Sequence, residues 1–223
     1  MRIVLLGAPG AGKGTQCKKI AEKYGLVHLS SGDILRQQRA SGTELGKKAQ
    51  SYMDSGALVP DQLIVEMMSS AIKASPNEDF VLDGFPRTIN QAEQLDKALS
   101  NDGRKIDVVL NLKVSDNVII KRITGRRSCS KCGAVYHIEN MKPKSAGICD
   151  KCGGKLVQRS DDTEQVVKNR LDNYYRQTAP VVDYYKKNSA VYDINADKSA
   201  DDVIALIFKK LDALRTIEMK NTG

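Results

Sequence analysis

Short apolar runs alternate along this chain with longer segments in which apolar residues recur every three or four positions. The runs are typical of buried strands, and the wider spacing is typical of amphipathic helices. The runs stand at 2–6, 80–82, 108–114 and 191–194, with a weaker fifth candidate at 26–30. Strands that alternate with helices predict an α/β fold, doubly wound around a parallel five-stranded sheet, with ligands at the carboxyl ends of the strands.

Two segments are longer than a crossover between parallel strands requires. Residues 32–59 predict two short helices that are broken around Gly42, and residues 127–158 are rich in Gly, Lys and Cys. We expect both segments to be modules that move against the core. We expect the tail after Leu214 to be frayed.

Composition and charge narrow the class of partner. The chain has 223 residues, of which 41% are hydrophobic, and a formal net charge of +8. This charge favours a polyanionic partner, which could be nucleic acid, an anionic membrane or a phosphate-rich small molecule. No apolar run approaches a membrane span, and the opening run is too short and too broken by Gly and Pro for a signal peptide. We expect a soluble, cytoplasmic protein without membrane contact.

A glycine-rich segment, GAPGAGKGT at 7–15, follows the first predicted strand and opens a predicted helix. The spacing of Gly7, Gly12 and Lys13 is that of a phosphate-binding loop in its strand, loop and helix context. Glycines lack the Cβ atoms that would block a phosphate, so backbone N–H groups can converge on an anion at the helix N-terminus. Lys13 would reach the β- and γ-phosphates.

The residue after Lys13 departs from the usual form of this loop. Gly14 stands where Ser or Thr commonly holds Mg²⁺, and Thr15 comes one position later. Asp83, at the end of a predicted strand, stands where a carboxylate could organise Mg²⁺ instead. A strand-ending Asp could equally cap a turn.

Four of the five cysteines form two Cys-x-x-Cys pairs, at Cys129 with Cys132 and at Cys149 with Cys152. The spacing fits a closed tetrahedral zinc site, which would be structural and not catalytic. Two labile disulfides or four free thiols are the alternatives. A module this small buries little apolar surface, so zinc would supply its folding energy in a reducing compartment. Cys17 is left as a core thiol.

Further motifs follow the phosphate-binding loop in a fixed order that extends to about residue 213. They are LSSGDILR (29–36), GALVPD (56–61), DGFPRTINQAEQL (83–95), KRITGRR (121–127), RSDDTEQVVKNRL (159–171) and TAPVVDYY (178–185). In this series the chain resembles the adenylate kinases, which move a phosphoryl group between ATP and AMP. The resemblance implies a core at 1–29, 60–125 and 163–223, a helical AMP-binding module at 30–59 and a zinc-binding lid at 126–162.

The resemblance also implies the site residues. A phosphoryl-transfer site should be rich in Arg, because negative charge builds on the moving oxygens. The catalytic positions correspond to Lys13, Arg87, Arg122, Arg126, Arg159 and Arg170. The ATP positions correspond to Gly10, Ala11, Gly12, Lys13, Gly14, Thr15, Arg126, Val135 and Tyr136. The AMP positions correspond to Ser31, Arg36, Met53, Ala57, Leu58, Val59, Gly84, Phe85, Pro86, Arg87, Gln91, Arg159 and Arg170, with the Gln91 amide offered to the adenine edge.

The implied reaction converts ATP and AMP into two ADP, in a monomer that uses Mg²⁺ with ATP and structural Zn²⁺ in the lid. A kinase with another donor, such as GTP, is an alternative within this class. The basic lid also allows a nucleic-acid-binding ATPase, but Tyr136 and His137 are the only rings there for base stacking. We therefore expect no nucleic acid. His28 and His137 lack ligand partners at metal-binding spacing, so we expect both to be structural.

Overall fold

A computed structural model of the chain describes residues 1–76 and 78–221. Its strands are β1 (Arg2–Gly7), β2 (Val27–Ser30), β3 (Phe80–Asp83), β4 (Val108–Lys113), β5 (Arg126–Cys129), β6 (Val135–His137), β7 (Leu156–Val157) and β8 (Ala190–Asn195). Its helices are α1 (Lys13–Tyr24), α2 (Ser31–Ala40), α3 (Glu44–Ser55), α4 (Asp61–Lys73), α5 (Ile89–Ser100), α6 (Asp116–Thr124), α7 (Glu164–Asn173), α8 (Ala179–Lys186) and α9 (Ala200–Asn221), with a π-helical turn at Tyr174–Thr178 between α7 and α8.

The predicted parallel sheet is confirmed in the described part of the chain, including its weaker candidate β2. Its five strands have the order β2-β3-β1-β4-β8, and every neighbouring pair is parallel. Asp83 at the end of β3 pairs with Leu5 on one side and with Ser30 on the other. The loop after β1, the start of α2 and the end of β3 therefore meet at one edge of the sheet.

The sheet is buried on both faces, as its continuous apolar runs require. Along β1, Ile3 and Leu5 pack into the core beneath α1 and α9, whereas Val4 and Leu6 pack into the core beneath α4, α5 and α8. All four side chains are at most 2% exposed. Complete burial of such a side chain contributes about 1.5–3 kcal/mol, so these two layers hold the sheet edge in place.

The predicted pair of helices around Gly42 is confirmed as α2 and α3. The Ser30 hydroxyl accepts a hydrogen bond from the Asp33 N–H at 3.2 Å, and the Thr43 hydroxyl accepts one from the Gly46 N–H at 3.1 Å. Each hydroxyl satisfies a backbone donor that a helix start leaves unpaired. The helices contact each other closely, so they form one rigid module.

The lid contains a small antiparallel sheet that the sequence pattern did not predict. Its strands have the order β6-β5-β7, and Arg127 pairs with Tyr136 while Cys129 pairs with Leu156. The strands are only two to four residues long, so they show little alternation of apolar and polar residues.

The expectation of a frayed tail after Leu214 is wrong for the backbone, because α9 continues to Asn221. The tail segment contains Leu, Arg, Glu, Met and Lys, and these residues favour helix. Of the residues that the structure describes, none forms a helix that is both long enough and apolar enough to cross a membrane.

We predict that Gly46→Ala destabilises the protein by about 1–3 kcal/mol through overpacking. A Cβ on Gly46 would lie 2.3 Å from the backbone oxygen of Gln38 in α2. Gly32→Ala is the matched control, because its Cβ would meet only the flexible end of Arg36, at 3.1 Å. Urea unfolding measures both variants. Since Gly→Ala normally stabilises a helix, a Gly46→Ala variant as stable as the wild type would contradict this packing.

Candidate active site

The loop after β1 presents the N-terminus of α1 to the sheet edge. Gly12 precedes the helix with φ +92, a left-handed conformation that glycine adopts without strain. No side chain caps the helix, and its first turn contains no acidic residue. The predicted loop residues Gly10, Ala11, Gly12, Lys13, Gly14 and Thr15 all lie here. The arrangement favours an anion such as phosphate.

Lys13 lies inside the curve of this loop. Its Nζ donates hydrogen bonds to the carbonyl oxygens of Gly7 at 2.7 Å and Ala8 at 2.9 Å. Burial lowers the pKa of Lys13 to about 8, against the opposing effect of Asp83, and Arg87 and Arg170 lower it further. Backbone oxygens thus orient the ammonium group, and its positive charge is not fully neutralised by the neighbouring side chains.

Asp83 lies against Gly14, the residue after Lys13. A Cβ on Gly14 would lie 3.1 Å from Asp83 Oδ2, so a larger residue there would require a small shift of this carboxylate. Although burial alone would raise it, His28 and Lys13 lower the pKa of Asp83. Asp83 is therefore an ionised carboxylate directly beside the phosphate-binding loop.

A cavity between the sheet edge and the α2–α3 module brings together most of the predicted AMP residues. Its lining includes Ser31, Arg36, Met53, Ala57, Leu58, Val59, Gly84, Arg87, Gln91 and Arg170. Phe85 does not line it and is 1% exposed in the main core. Asp161, which was not predicted as a site residue, does line it.

Two buried polar side chains fix the floor of this cavity. The Ser31 hydroxyl donates to the Gly84 carbonyl oxygen at 2.7 Å. The Gln91 Oε1 accepts from the Arg87 N–H at 2.7 Å, and its Nε2 donates to Asp61 Oδ1 at 2.7 Å. The Gln91 amide is thereby held in one orientation with one N–H and one lone pair left for a ligand.

Arginines surround the same cavity, and acidic partners hold some of them. Arg87 Nε donates to the Gly84 carbonyl oxygen at 2.7 Å. Arg170 Nη1 donates to Asp161 Oδ2 at 3.0 Å, and burial lowers the pKa of Arg170 to about 10 in spite of Asp161. Arg36 Nη2 donates to Asp33 Oδ1 at 2.6 Å.

The arginines of the lid and its flanks are oriented separately. Arg126 forms a bidentate pair with Asp162, a carboxylate that is 0% exposed. Arg159 Nε donates to the Ser128 hydroxyl at 2.8 Å. Burial, followed by the neighbouring Arg126 and Arg36, lowers the pKa of Arg159 to about 10. These guanidinium groups are close enough to repel each other, as expected where phosphate is to be bound.

Arg122 lies on α6 and turns elsewhere. Its Nη2 donates to the Lys198 carbonyl oxygen at 2.9 Å, on the loop before α9. It lines neither the cavity beside the α2–α3 module nor a second cavity beside the phosphate-binding loop. Unlike the other predicted catalytic arginines, Arg122 is therefore held by the loop before α9.

A second cavity joins the phosphate-binding loop to the first cavity. Its lining includes Gly7, Lys13, Pro86 and the α7–α8 junction residues Asn173, Tyr174 and Thr178. The two cavities share Gly56, Leu58, Gly84, Arg87 and Arg170. Two bound phosphate groups could therefore meet across a wall that contains two arginines.

The four lid cysteines converge as their spacing predicted. The Cys129 and Cys152 sulfurs are 3.5 Å apart, and the Cys132 and Cys149 sulfurs are 3.6 Å apart. All four sulfurs lie within 4.8 Å of one another. Zn–S bonds of about 2.3 Å in a tetrahedron give sulfur separations of about 3.8 Å, so this donor set fits zinc.

Tyr136 belongs to the core of the lid. Its hydroxyl lies 3.5 Å from the Cys149 sulfur and accepts a hydrogen bond from the Asp150 N–H at 2.8 Å. The contact lowers the pKa of Cys149 to about 6. Val135, its neighbour on β6, pairs with Ser128. Neither residue lines the two cavities, so this structure does not bring the predicted ATP-base contacts to them.

Sequence reasoning missed the residues that orient the predicted ones. They are Asp61 for Gln91, Asp161 for Arg170, Asp162 for Arg126 and Ser128 for Arg159. The motif RSDDTEQ at 159–165 contained a signal, because two adjacent acids beside an arginine in a basic segment are candidates for ion pairs.

Comparison with known proteins finds similar sequences over most of the chain. The family model described as "Adenylate kinase" matches residues 5–190. The chain is 51% identical to the adenylate kinase of Lachnospira eligens over 95% of this chain and 100% of the relative. It is 47% identical to that of Archaeoglobus fulgidus over 96% and 97%, and 50% identical to that of Methanocella arvoryzae over 92% and 95%.

We predict that ADP binding weakens as the pH rises through about 8, the pKa of Lys13. Below this pH the ammonium is charged, whereas above it a proton must be taken up on binding, which costs up to about tenfold in affinity per pH unit. Calorimetric titrations between pH 6.5 and 9 measure the effect. Lys13→Arg should bind with little pH dependence, because guanidinium stays charged. An equally steep pH dependence in that variant would contradict the assignment.

Proposed function

The chain belongs to the adenylate kinase family and is therefore an ATP:AMP phosphotransferase, and we propose from this premise how its residues divide the work. ATP lies along the 7–15 loop, with its terminal phosphate at Lys13. AMP lies beneath the helical module at 30–59. The γ-phosphoryl group passes between them, giving two ADP in a reversible reaction.

The observation that carries this proposal is the shared wall of the two cavities. Arg87 and Arg170 line both, and Lys13 lines the one beside the loop. Phosphoryl transfer needs in-line placement and stabilisation of charge on the moving oxygens more than it needs a general base. Guanidinium groups suit this task because their planar forks bind phosphate oxygens in pairs.

AMP recognition follows from the lining of the first cavity. Arg36 and Arg87 would bind the AMP phosphate, and the remaining N–H and lone pair of Gln91 would meet the adenine edge. The apolar side chains that line the cavity would exclude water from the base; they are Met53, Ala57, Leu58 and Val59. Arg36 would have to exchange its contact with Asp33 for the phosphate.

The magnesium ion that accompanies ATP would be held from the protein side by Asp83. It fits this role because it is an ionised oxygen donor beside the loop, and hard oxygen donors suit Mg²⁺. Mg²⁺ would supply charge neutralisation at the phosphates. Gly14 offers no hydroxyl, so we propose that Asp83 is the principal protein contact in place of the usual Ser or Thr.

The lid at 126–162 would close over ATP. Arg126 and Arg159 are already oriented by Asp162 and Ser128, so closure would bring them to the phosphates with little loss of side-chain freedom. Arg122, on the flank, would leave the Lys198 carbonyl to join them. Closure would exclude water and so prevent hydrolysis of ATP.

Zinc would brace this lid through Cys129, Cys132, Cys149 and Cys152. Four thiolates close the coordination sphere, so the role is structural. The thiols must be reduced to bind the metal, which supports a cytoplasmic location. We propose a monomer, as the resemblance to the family implies, in which nucleotides explain the basic charge without nucleic acid.

Nucleotide product analysis tests the proposed function. With Mg-ATP and AMP, we expect two ADP for each ATP consumed, and no turnover without AMP. Lys13→Ala should lower turnover by at least about a hundredfold with an unchanged melting curve. Lys47→Ala is the matched control, because Lys47 is exposed on α3 and pairs with Glu44 of the same helix at 2.9 Å.

The same assay separates the rival functions. Equal or faster turnover with GTP in place of ATP would favour a kinase with another donor. Phosphate release without AMP, or turnover that depends on added RNA or DNA, would favour a nucleic-acid-dependent ATPase. Near-normal turnover of folded Lys13→Ala would overturn the assignment of the loop.

We predict that Cys129→Ser removes tightly held zinc and lowers the melting temperature by several degrees, because the lid loses metal-linked folding energy. Turnover at low temperature should fall much less. Ser130→Ala, in the same turn, is the matched control, since it leaves all four thiolates in place. Calorimetric melting and metal analysis measure both. An unchanged zinc content in Cys129→Ser would contradict the structural-zinc site.

A further inference from the structure

Cys17, His28 and Asp83 converge beside the phosphate-binding loop, although they come from three different elements. Cys17 lies on α1, His28 on β2 and Asp83 at the end of β3. Each offers one ligand atom, and the three atoms lie within 4.8 Å of one another. The expectation that His28 has no ligand partner was therefore incomplete, because its neighbours are distant in sequence.

Strand register explains how the three side chains meet. His28 pairs with Val81, two residues before Asp83, so His28 and Asp83 lie on the same face of the sheet as diagonal neighbours. Cys17 and Val81 belong to the core beneath α1, so α1 covers this face. The geometry is thus set by paired strands and a packed helix, which hold ligands more accurately than a loop would.

The Nε2 atom of His28 faces Asp83 without a hydrogen bond of ordinary length. Its buried Nε2 has no hydrogen-bond partner among the described residues. It lies 3.6 Å from Asp83 Oδ2, which is long for a hydrogen bond. With metal–ligand bonds of about 2.0–2.1 Å, two ligands of one tetrahedral ion stand about 3.3 Å apart. A small inward shift would therefore bring both atoms to coordination distance.

We propose that Cys17, His28 and Asp83 form a second metal site, which takes a borderline transition-metal cation such as Zn²⁺ or Co²⁺. The site is separate from the lid cluster and shares only Asp83 with the Mg²⁺ of the nucleotide. A mixed sulfur, nitrogen and oxygen donor set selects such cations over Mg²⁺ and Ca²⁺. Three protein ligands leave one position for water, as in open zinc sites.

The charge balance of the site is favourable. The Cys17 thiol gives its proton to solvent as the metal–sulfur bond forms, so one thiolate and one carboxylate neutralise a divalent cation. Lys13 is the opposing charge, and its ammonium is engaged by the carbonyl oxygens of the loop. The side chains of His28 and Asp83 are 16% and 14% exposed, which gives an ion an approach that the buried sulfur alone would not.

The surroundings of Cys17 favour metal binding over oxidation of its thiol. The residue is 0% exposed, and burial, together with Asp83, raises its pKa well above the usual range. A buried thiol that resists ionisation is a weak nucleophile. A metal ion, by contrast, displaces the thiol proton directly.

Cobalt titration of the full chain, with zinc kept in the lid, tests the proposal. We expect one further equivalent of Co²⁺ with a sulfur-to-cobalt absorption band of the strength of a single thiolate. A chromophoric chelator in the solution reports any zinc that cobalt displaces from the lid. Cys17→Ala should abolish the band, and His28→Gln should weaken Co²⁺ binding by at least about tenfold.

The lid variant Cys129→Ser is the crossed control, since it should lose tight zinc and keep the single-thiolate band. Circular dichroism checks that each variant is folded. If a variant does not fold, the titration of the wild-type protein alone tests the proposal. The proposal would be overturned if the wild-type protein showed no sulfur-to-cobalt absorption other than that of cobalt exchanged for zinc in the lid. A folded Cys17→Ala variant that keeps the band would also overturn it.

Discussion

Burial of cationic side chains around the candidate active site is the constraint on which this region depends. Burial lowers the pKa of Lys13, Arg159 and Arg170, which means that the folded protein holds these charges at a cost. The cost is tolerable because the parallel strands and the helices on both faces bury enough apolar surface to fix the edge. Bound phosphate groups would remove this cost, so the free energy spent on holding the charges would become available for binding nucleotide.

Acidic side chains offset this cost without cancelling it. Asp161 contacts Arg170, and Asp162 contacts Arg126. Each pair fixes a guanidinium plane, while the side chains of Arg87 and Arg159 donate to neutral oxygens among the described residues. The site therefore stays positive overall and loses little side-chain entropy when a ligand arrives. The buried residues of segment 126–162 form a small core of their own, separate from the cores of the sheet.

The sequence predicted what local patterns encode. Apolar runs located all five strands of the main sheet, and the spacing of Gly7, Gly12 and Lys13 located the anion site. The lid sheet was missed because its strands are too short for a period to appear. The partners Asp61 and Ser128 were missed because hydrogen bonds between residues about 30 positions apart leave no local pattern. The Cys17, His28 and Asp83 cluster depends on strand register, which hydrophobic periodicity does not give when both faces of a sheet are buried.

Asp83 could be a ligand of two kinds of metal ion, and the coordination preferences of the ions determine which of them it binds. As an oxygen donor beside the loop it suits the Mg²⁺ of a nucleotide, whereas together with Cys17 and His28 it suits a softer cation. The lid offers four thiolates, so it should bind zinc more tightly than a site with one thiolate and an open position. Scarce zinc would then fill the lid first and leave Asp83 to the nucleotide. Only zinc in excess of the lid would reach Asp83, and because one carboxylate cannot orient fully toward both ions, it would oppose the binding of Mg-nucleotide.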